Sequence, residues 1–249
     1  MLMHPTLEKL QQLRLTGMLK ALEDQAQSAE VDSLTFEERL GLLVDREFTE
    51  RGNRRLATRM RKAKLRQDAA IEDINFRHPR GLDKALVLTL ASCQWIHDHR
   101  NLLITGPTGA GKTFLGCALA HKACREGYSS LYMRLPKMCR ELSMAKADGS
   151  YGKMLARWAK TDLIIIDDWG IAPLSAEHRR DLLEIFEDRY GLRATLVTSQ
   201  IPVEKWHEYL DDPTVADAIL DRLIHNAYKI ELKGESMRKK KLTKSGKKG

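Results

Sequence analysis

Apolar positions follow a helical period through the first 68 residues and then shift to short continuous runs separated by helical stretches. Leu15, Met18, Leu19 and Leu22 keep the i, i+3, i+4, i+7 spacing and predict a helix over 6–27. Thr35 with Glu38 makes a capping box that opens a second helix, with Phe36, Leu40, Leu43 and Phe48 as its apolar stripe. Arg51 to Gln67 is a third helix or a continuation of the second. Asp68 to Asp83 is polar, contains His78-Pro79-Arg80-Gly81, and reads as a linker. Beyond it, a helix around Lys84 to His97 leads into a strand at Leu102 to Thr105, and a helix follows to about Gly127. The pattern then predicts a strand at Ser130 to Met133, a helix at Pro136 to Lys146 and a strand at Leu163 to Asp167. Ser175 caps a helix with Leu182, Leu183, Phe186 and Tyr190 on its apolar face, and Gly191 ends it. A strand at Thr195 to Ser199, helices near 203–210 and 214–226, and a strand at Tyr228 to Leu232 complete the series. Strands alternating with helices imply an α/β fold with a parallel sheet covered on both faces. The expected organisation is a helical N-terminal domain (1–68), a linker (69–83), an α/β domain (84–232) and a basic tail (233–249) expected to be disordered.

The richest chemistry sits at the first strand's exit. Residues 106 to 113 read Gly106-Pro107-Thr108-Gly109-Ala110-Gly111-Lys112-Thr113, a complete Gly-x-x-x-x-Gly-Lys-Thr pattern between a buried strand and a helix. Such a loop meets phosphate oxygens with backbone N–H groups and a helix N-terminus. The glycines allow close approach and unusual φ angles. Lys112 supplies a point charge to the β- and γ-phosphates of a nucleoside triphosphate, and the Thr113 hydroxyl is placed to ligate Mg²⁺. Some fifty residues on, Leu163-Ile164-Ile165-Ile166 ends in Asp167-Asp168. Alone this would read as a strand end and a turn. Paired with the glycine loop, it places two carboxylates where open α/β sheets bind ligands. Asp167 would hold Mg²⁺ and Asp168 would orient the attacking water, so ATP with Mg²⁺ is the expected ligand.

Charge changes the picture next. The net charge is +8, yet Lys233 to Gly249 carries eight Lys/Arg against Glu235 alone, so the rest of the chain is close to neutral. A second block, 51 to 67, holds eight Lys/Arg and no acid. At 100° per residue Arg51, Arg55, Arg59, Lys62 and Arg66 fall within a narrow arc, with Leu56, Ala57, Met60 and Ala63 opposite. The plain reading is a solvated face, but such faces usually mix signs. Two basic blocks on a near-neutral body point to a polyanionic partner, bound through phosphates and blind to sequence. The four cysteines, Cys93, Cys117, Cys124 and Cys139, form no Cys-x-x-Cys pair and read as reduced core residues. With no apolar run of membrane-spanning length and no secretory signal pattern at the start, a cytoplasmic protein is expected.

Two further features stay open on the residues alone. Thr198-Ser199-Gln200 is an ordinary strand exit, or a polar contact to the γ-phosphate or the attacking water. Arg222, beside Asp221, is a surface ion pair, or an arginine reaching a neighbouring subunit's nucleotide.

The chain resembles the IstB-type transposition helper ATPases of bacterial insertion sequences, which partner an IstA-type transposase. The resemblance runs over nearly the whole length. It rests on Leu15-x-Gly17-Met18, the Arg51–Arg66 stretch, Phe76 to Leu82, the Gly106–Thr113 loop, Asp167-Asp168-Trp169-Gly170 and Asp188-Arg189-Tyr190-Gly191. It continues through Thr198-Ser199-Gln200, Asp221 to Ala227 and Gly234 to Lys239. It implies an AAA+ P-loop core related to the helicase loader DnaC and the initiator DnaA. It also implies ATP-driven self-assembly on duplex DNA, DNA bending, and recruitment or stimulation of the transposase. It makes Arg222 a finger acting in trans and 198–200 a sensor, with Gln200 ahead of Ser199. It further implies a DNA-facing helix near Pro136 to Lys146, with Lys137, Arg140 and Lys146 as contacts.

The chain departs from the common AAA+ pattern in two ways. The acid pair is Asp-Asp where Asp-Glu is usual, which points to slow hydrolysis. Too few residues follow Arg222 for a helical lid, leaving Arg238 as a weak substitute for a lid-borne sensor. The reading is therefore a DNA-stimulated ATPase acting as an assembly switch. The rivals are a DnaC-like helicase loader, which would favour single-stranded DNA, and a nucleotide-binding DNA scaffold without turnover.

Overall fold

The computed structural model describes residues 5–28, 31, 33–234 and 236. The chain divides into two compact units, Met1–Thr58 and Arg59–Gly249.

The first unit is helical, with α1 (Pro5–Gln12), α2 (Thr16–Gln27) and most of α3 (Phe36–Ala63), which runs on past the unit's boundary. The helix expected over 6–27 is two helices, parted where Arg14 takes φ 58°. The helices expected from Phe36 and from Arg51 are one. Its capping box is present: Glu38 N–H donates to the Thr35 hydroxyl at 3.3 Å and Thr35 N–H to the Glu38 carboxylate at 2.8 Å. Gly17 explains the Leu-x-Gly-Met motif, because a Cβ there would lie 2.6 Å from the Glu47 Cα. Glu47 closes this contact chemically. Its buried carboxylate accepts from the N–H of Gly17 (2.6 Å) and Met18 (3.2 Å) and pairs with Arg51 (2.6 Å) and Arg54 (3.4 Å). Burial pushes the Glu47 pKa up. The bonds from Arg51, Gly17 and Met18 outweigh it and hold the group below its ordinary value of 4.5.

The apolar stripe differs from expectation. Phe36, Leu40 and Phe48 are 74%, 40% and 80% exposed, so the stripe finds no cover within this unit. The helices meet instead through small and polar residues, Gly17 against Glu47 and the Gln25 amide on the Arg39 carbonyl at 3.0 Å.

The second unit is built on five parallel strands: β1 (Leu102–Thr105), β2 (Ser130–Arg134), β3 (Leu163–Trp169), β4 (Ala194–Ser199) and β5 (Tyr228–Glu231), in the order β2-β3-β4-β1-β5. Successive strand residues point to opposite faces, and both faces are covered. Leu102, Ile104, Leu163, Ile165 and Leu196 pack with Val87 and Leu90 of α4 (Lys84–Ala91), Trp95 and Ile96 of α5 (Gln94–His97), and Leu115 and Leu119 of α6 (Lys112–Arg125). Leu103, Ile164, Ile166 and Val197 face the other way. They meet α7 (Leu135–Ala147), α8 (Tyr151–Ala159), α9 (Ala176–Arg189), α10 (Trp206–Leu210) and α11 (Pro213–Ile224). The helix expected over Lys84 to His97 breaks at Cys93, which takes φ 61°. Helix α8 was not expected. It is short, its Ser150 makes no side-chain cap, and only Leu155 and Trp158 are buried.

Arg189 accounts for one family motif as a structural clamp. Its buried guanidinium donates to the carbonyls of Trp158 (2.6 Å), Thr161 (2.8 Å) and Ala194 and to the Thr195 hydroxyl (3.1 Å), joining α8, α9 and β4. Burial pulls its pKa down to about 9. All four cysteines are free and buried, as expected for reduced core residues. No helix among the described residues is long and apolar enough to cross a membrane. No helical domain follows β5 among the described residues. Arg238 and most of the basic tail lie outside them.

The Glu47 contact sets a pH dependence. Its folded pKa lies below the unfolded one, so its contribution is complete above pH 4.5 and lost as pH falls through the folded value. Glu47→Gln is expected to cost roughly 1–3 kcal/mol near neutrality, with wild type and variant converging in acid. Urea unfolding followed by circular dichroism at neutral and acid pH checks this.

Candidate nucleotide-binding site

The parallel strands deliver their C-terminal ends to one edge of the sheet, and a cleft of about 590 Å³ opens there. Its lining includes Thr108, Gly109, Gly111, Lys112, Thr113 and Asp167. The glycine loop leaves β1 and turns into α6 at Gly111, φ 99°. Gly106 and Gly109 also take positive φ, 140° and 83°. A Cβ on Gly106 would overlap the Leu232 carbonyl, and one on Gly109 the Ser236 hydroxyl. The chain just beyond β5 thus packs against the loop and leaves no room for side chains. Buried Arg80, whose carbonyl accepts from Lys233 N–H at 2.8 Å in that same segment, braces the loop by donating to the Ala110 carbonyl at 3.0 Å. The Lys112 ammonium donates to the carbonyls of Gly106 (2.6 Å) and Pro107 (2.9 Å).

Asp167 is the hub. It is 1% exposed and accepts from the hydroxyls of Thr113 (3.0 and 3.1 Å), Tyr132 (2.5 Å) and Thr198. Burial, then the bond to Asp167, push the Tyr132 phenol well above its ordinary pKa, so it stays a donor. Asp168 follows in a left-handed conformation, φ 63°, where the β3–β4 register slips between Ile166 and Trp169. A non-glycine residue there is strained, a feature that concentrates at functional sites. The strain is anchored downstream. The Trp169 ring is buried against Trp206 (5.3 Å between centroids), Tyr209 and Phe186, and Gly170 takes φ 83° against Ile201. These contacts account for the Asp-Asp-Trp-Gly run.

Within 198–200 the three residues divide their work. Thr198 bonds Asp167. The Ser199 hydroxyl is buried, donates to the Trp169 carbonyl at 2.9 Å and accepts from Ile201 N–H. The Gln200 carbonyl oxygen accepts from Thr108 of the glycine loop at 2.7 Å, which sets this amide over the cleft.

Arg222 lies elsewhere. The Asn101 amide, just before β1, donates to the Arg222 and Leu223 carbonyls at 2.9 and 3.2 Å, so Arg222 sits at the end of the sheet opposite the loop. Its guanidinium pairs with Glu187 and lies 6.0 Å from the centre of the Tyr190 ring. It does not reach its own chain's cleft.

The basic block is corrected in detail. Arg51 is not without an acid, since Glu47 precedes it by one turn. Arg55 and Lys62 are exposed on α3, while Arg59 donates to the Cys124 carbonyl at 2.8 Å, near the C-terminal end of α6. Arg66 is not on the helix at all. The helix ends at Ala63, Lys64 takes φ 51°, and Arg66 reaches the acid pair, 3.7 Å from Asp167 and 3.8 Å from Asp168. Arg134, at the end of β2, also pairs with Asp168, at 2.5 Å. Neither contact is visible in local spacing, because each joins segments far apart in the chain. On α7, Lys137 pairs weakly with Glu141 and Arg140 is exposed. Lys146 is held by Glu177 (2.8 Å) and Asp181 (2.6 Å), ties that fasten α7 to α9.

A family model described as IstB-like ATP binding protein matches residues 8–245. The chain belongs to this family. It is 51% identical over 245 residues to an insertion-sequence ATP-binding protein of Sinorhizobium fredii, a match covering 98% of this chain and all of that one. Among solved structures it resembles DnaI (TM-score 0.58, 23% identity, 68% of this chain and 92% of that one). It also resembles the DnaC helicase loader (TM-score 0.52, 19% identity, 62% of this chain and 93% of that one). These likenesses show the fold, a parallel sheet with a glycine-rich loop after its first strand, covered by helices on both faces.

The residues present suit a nucleoside triphosphate with a hard dication. The loop leaves no space for a Cβ at Gly106 or Gly109. Thr113 and Asp167 bring a hydroxyl and a carboxylate within 3.1 Å of each other, the oxygen donors that Mg²⁺ favours. Gly106→Ala meets both a steric block and an unfavourable φ. It is expected to lower thermal stability by about 1–3 kcal/mol and to weaken binding of a fluorescent ATP analogue by about tenfold. Calorimetry and a fluorescence titration check the two effects.

Proposed function

We propose that this IstB-family chain is a DNA-stimulated ATPase that assembles on duplex DNA, bends it, and presents it to an IstA-type transposase. The observation that carries the reading is the division of the machinery between two ends of one sheet. Lys112, Thr113, Asp167, Asp168 and Gln200 gather at the cleft, whereas Arg222 sits at the far end. An arginine so placed is out of reach of its own cleft, and in this reading it leaves its pair with Glu187 to serve the cleft of a neighbouring copy. Assembly and turnover are then one event.

In this mechanism the loop Gly106–Thr113 binds the phosphates, with Lys112 turning from the loop carbonyls to the β- and γ-phosphates. Thr113 and Asp167 would hold Mg²⁺, which supplies electrostatic stabilisation to the transferring phosphoryl group. Tyr132 and Thr198 keep the Asp167 carboxylate in place. Asp168 orients the water, and Gln200 rather than Ser199 senses the γ-phosphate, because the Ser199 hydroxyl is already committed to the backbone. The neighbour's Arg222 stabilises charge developing in the transition state. The shorter Asp168 carboxylate makes hydrolysis slow, which suits an assembly that must persist until the transposase arrives.

Residues 1–68 serve DNA binding and oligomerisation, 84–232 is the motor, and the basic tail from 233 adds unspecific affinity. Arg51, Arg55, Arg59, Lys62, Lys137 and Arg140 are phosphate contacts. Arg66 and Lys146 join them when their intramolecular pairs open.

Mixing variants tests the shared site. Lys112→Ala is expected to lose ATP binding and DNA-dependent assembly, and Arg222→Ala to bind ATP yet hydrolyse it at least about tenfold more slowly. A mixture of the two is expected to regain part of the phosphate release, because an intact cleft can meet an intact finger. Additive inactivity in the mixture would place Arg222 outside the reaction.

A further inference from the structure

Beside the nucleotide cleft runs a second groove of about 310 Å³. It follows β2, the edge strand of the sheet, and is lined by Lys64, Arg66, Arg134, Lys137 and Arg157 with Glu141 as its one acid. Among the described residues Lys64 and Arg157 have no acidic partner, and Glu141 is engaged by Lys137 at 3.7 Å. Five cations against one carboxylate, with apolar Leu131 and Met133 as the floor, make a cradle for a polyanion. Arg66 lines the groove and reaches the acid pair that lines the cleft. Its guanidinium is 3.7 Å from Asp167 and 3.8 Å from Asp168, and its side chain is 42% exposed. The adjacent Tyr132 side chain, with help from both carboxylates, holds its pKa above the ordinary value, so it is always a cation.

We propose that this groove binds the phosphate backbone of duplex DNA and that Arg66 is an exchangeable cation, held either by the Asp167–Asp168 pair or by DNA phosphates. The carboxylates are mostly buried, but separations of 3.7 and 3.8 Å are long beside the roughly 2.7–2.9 Å of a charge-assisted hydrogen bond, so the exposed guanidinium can take a phosphate as a closer partner. The exchange couples the two sites in both directions. Phosphates in the groove draw Arg66 from the acid pair and, by engaging Arg134 of the same groove, loosen the closer hold on Asp168 as well. A dication held by Thr113 and Asp167 would disfavour Arg66 beside the acid pair and leave it to the groove, where it would add a phosphate contact. Reciprocity requires that nucleotide with Mg²⁺ tighten DNA binding by the factor by which DNA tightens nucleotide binding. Arg66 is a positioning residue in this scheme, since it acts on the reaction through Asp168. The proposal rests on the duplex-DNA reading above and adds to it a location and a means of coupling.

The test measures affinity for a fluorescent duplex by anisotropy, across a salt series, with and without Mg²⁺ and a non-hydrolysable ATP analogue. Wild type is expected to bind several-fold tighter with nucleotide. In Arg66→Ala the ratio between the two states should fall to about one, and Arg66→Lys should restore part of it. Arg157→Ala should weaken binding in both states, keep the ratio, and reduce the salt slope by about one. A wild-type ratio in Arg66→Ala overturns the exchange, as does wild-type binding that ignores nucleotide. Unchanged affinity and slope in Arg157→Ala overturn the groove. Absence of any duplex binding by wild type is a different failure, that of the DNA reading itself.

Discussion

A single buried carboxylate organises this molecule. Asp167 stands at the end of β3 and collects hydroxyls from the loop helix (Thr113), the edge strand β2 (Tyr132) and β4 (Thr198). A charge that deep is tolerated only because it is so fully bonded, and each bond to a charged group contributes about 1.5–3 kcal/mol. The same bonds set the relative heights of three adjacent elements. The glycine loop is therefore not an independent module attached to a sheet; its threonine is tied to the carboxylate that the sheet delivers. The carboxylate therefore links the loop helix to β2 and to Arg66 in the segment following α3, both far from the loop in sequence.

The α/β core was largely legible from the residues alone. Alternating apolar runs and helical stretches place each of the five strands to within two residues, because the central strands, buried on both faces, are continuously apolar and the edge strand β5 alternates. The glycine pattern and the double aspartate locate the cleft for a similar reason, since each residue type has a local geometric or electrostatic duty. Three things were not legible. Helix α8 carries Tyr151, Met154, Leu155 and Trp158 at helical spacing, but it is only nine residues long and Ser150 makes no side-chain cap. The Phe36–Phe48 stripe reads as a core face, yet its own unit offers nothing to cover it. Arg66 reads as one more turn of a basic helix, because nothing in the local pattern says that the helix stops at Ala63 and turns the next residues toward the acids.

The basic residues illustrate how charge is put to different uses. Arg189 is a buried clamp, Lys146 fastens two helices, and Arg59 sits on a helix's last carbonyls. Arg55, Lys62 and Arg140 are exposed and, with the groove residues, are among those proposed to meet a polyanion. The near-neutral body and concentrated blocks inferred from composition still hold. What composition could not separate is charge that builds the fold from charge that meets a partner.

The central claim is that nucleotide binding drives assembly on duplex DNA, with one copy's arginine completing another's cleft. Electron microscopy of the full chain with linear duplex DNA tests it most directly, with and without a non-hydrolysable ATP analogue and Mg²⁺. The account predicts ordered multi-subunit particles carrying bent DNA only when nucleotide is present, with Arg222 of one copy facing the glycine loop of the next. Particles that form equally well without nucleotide, or nucleotide-bound chains that remain single on DNA, would contradict it.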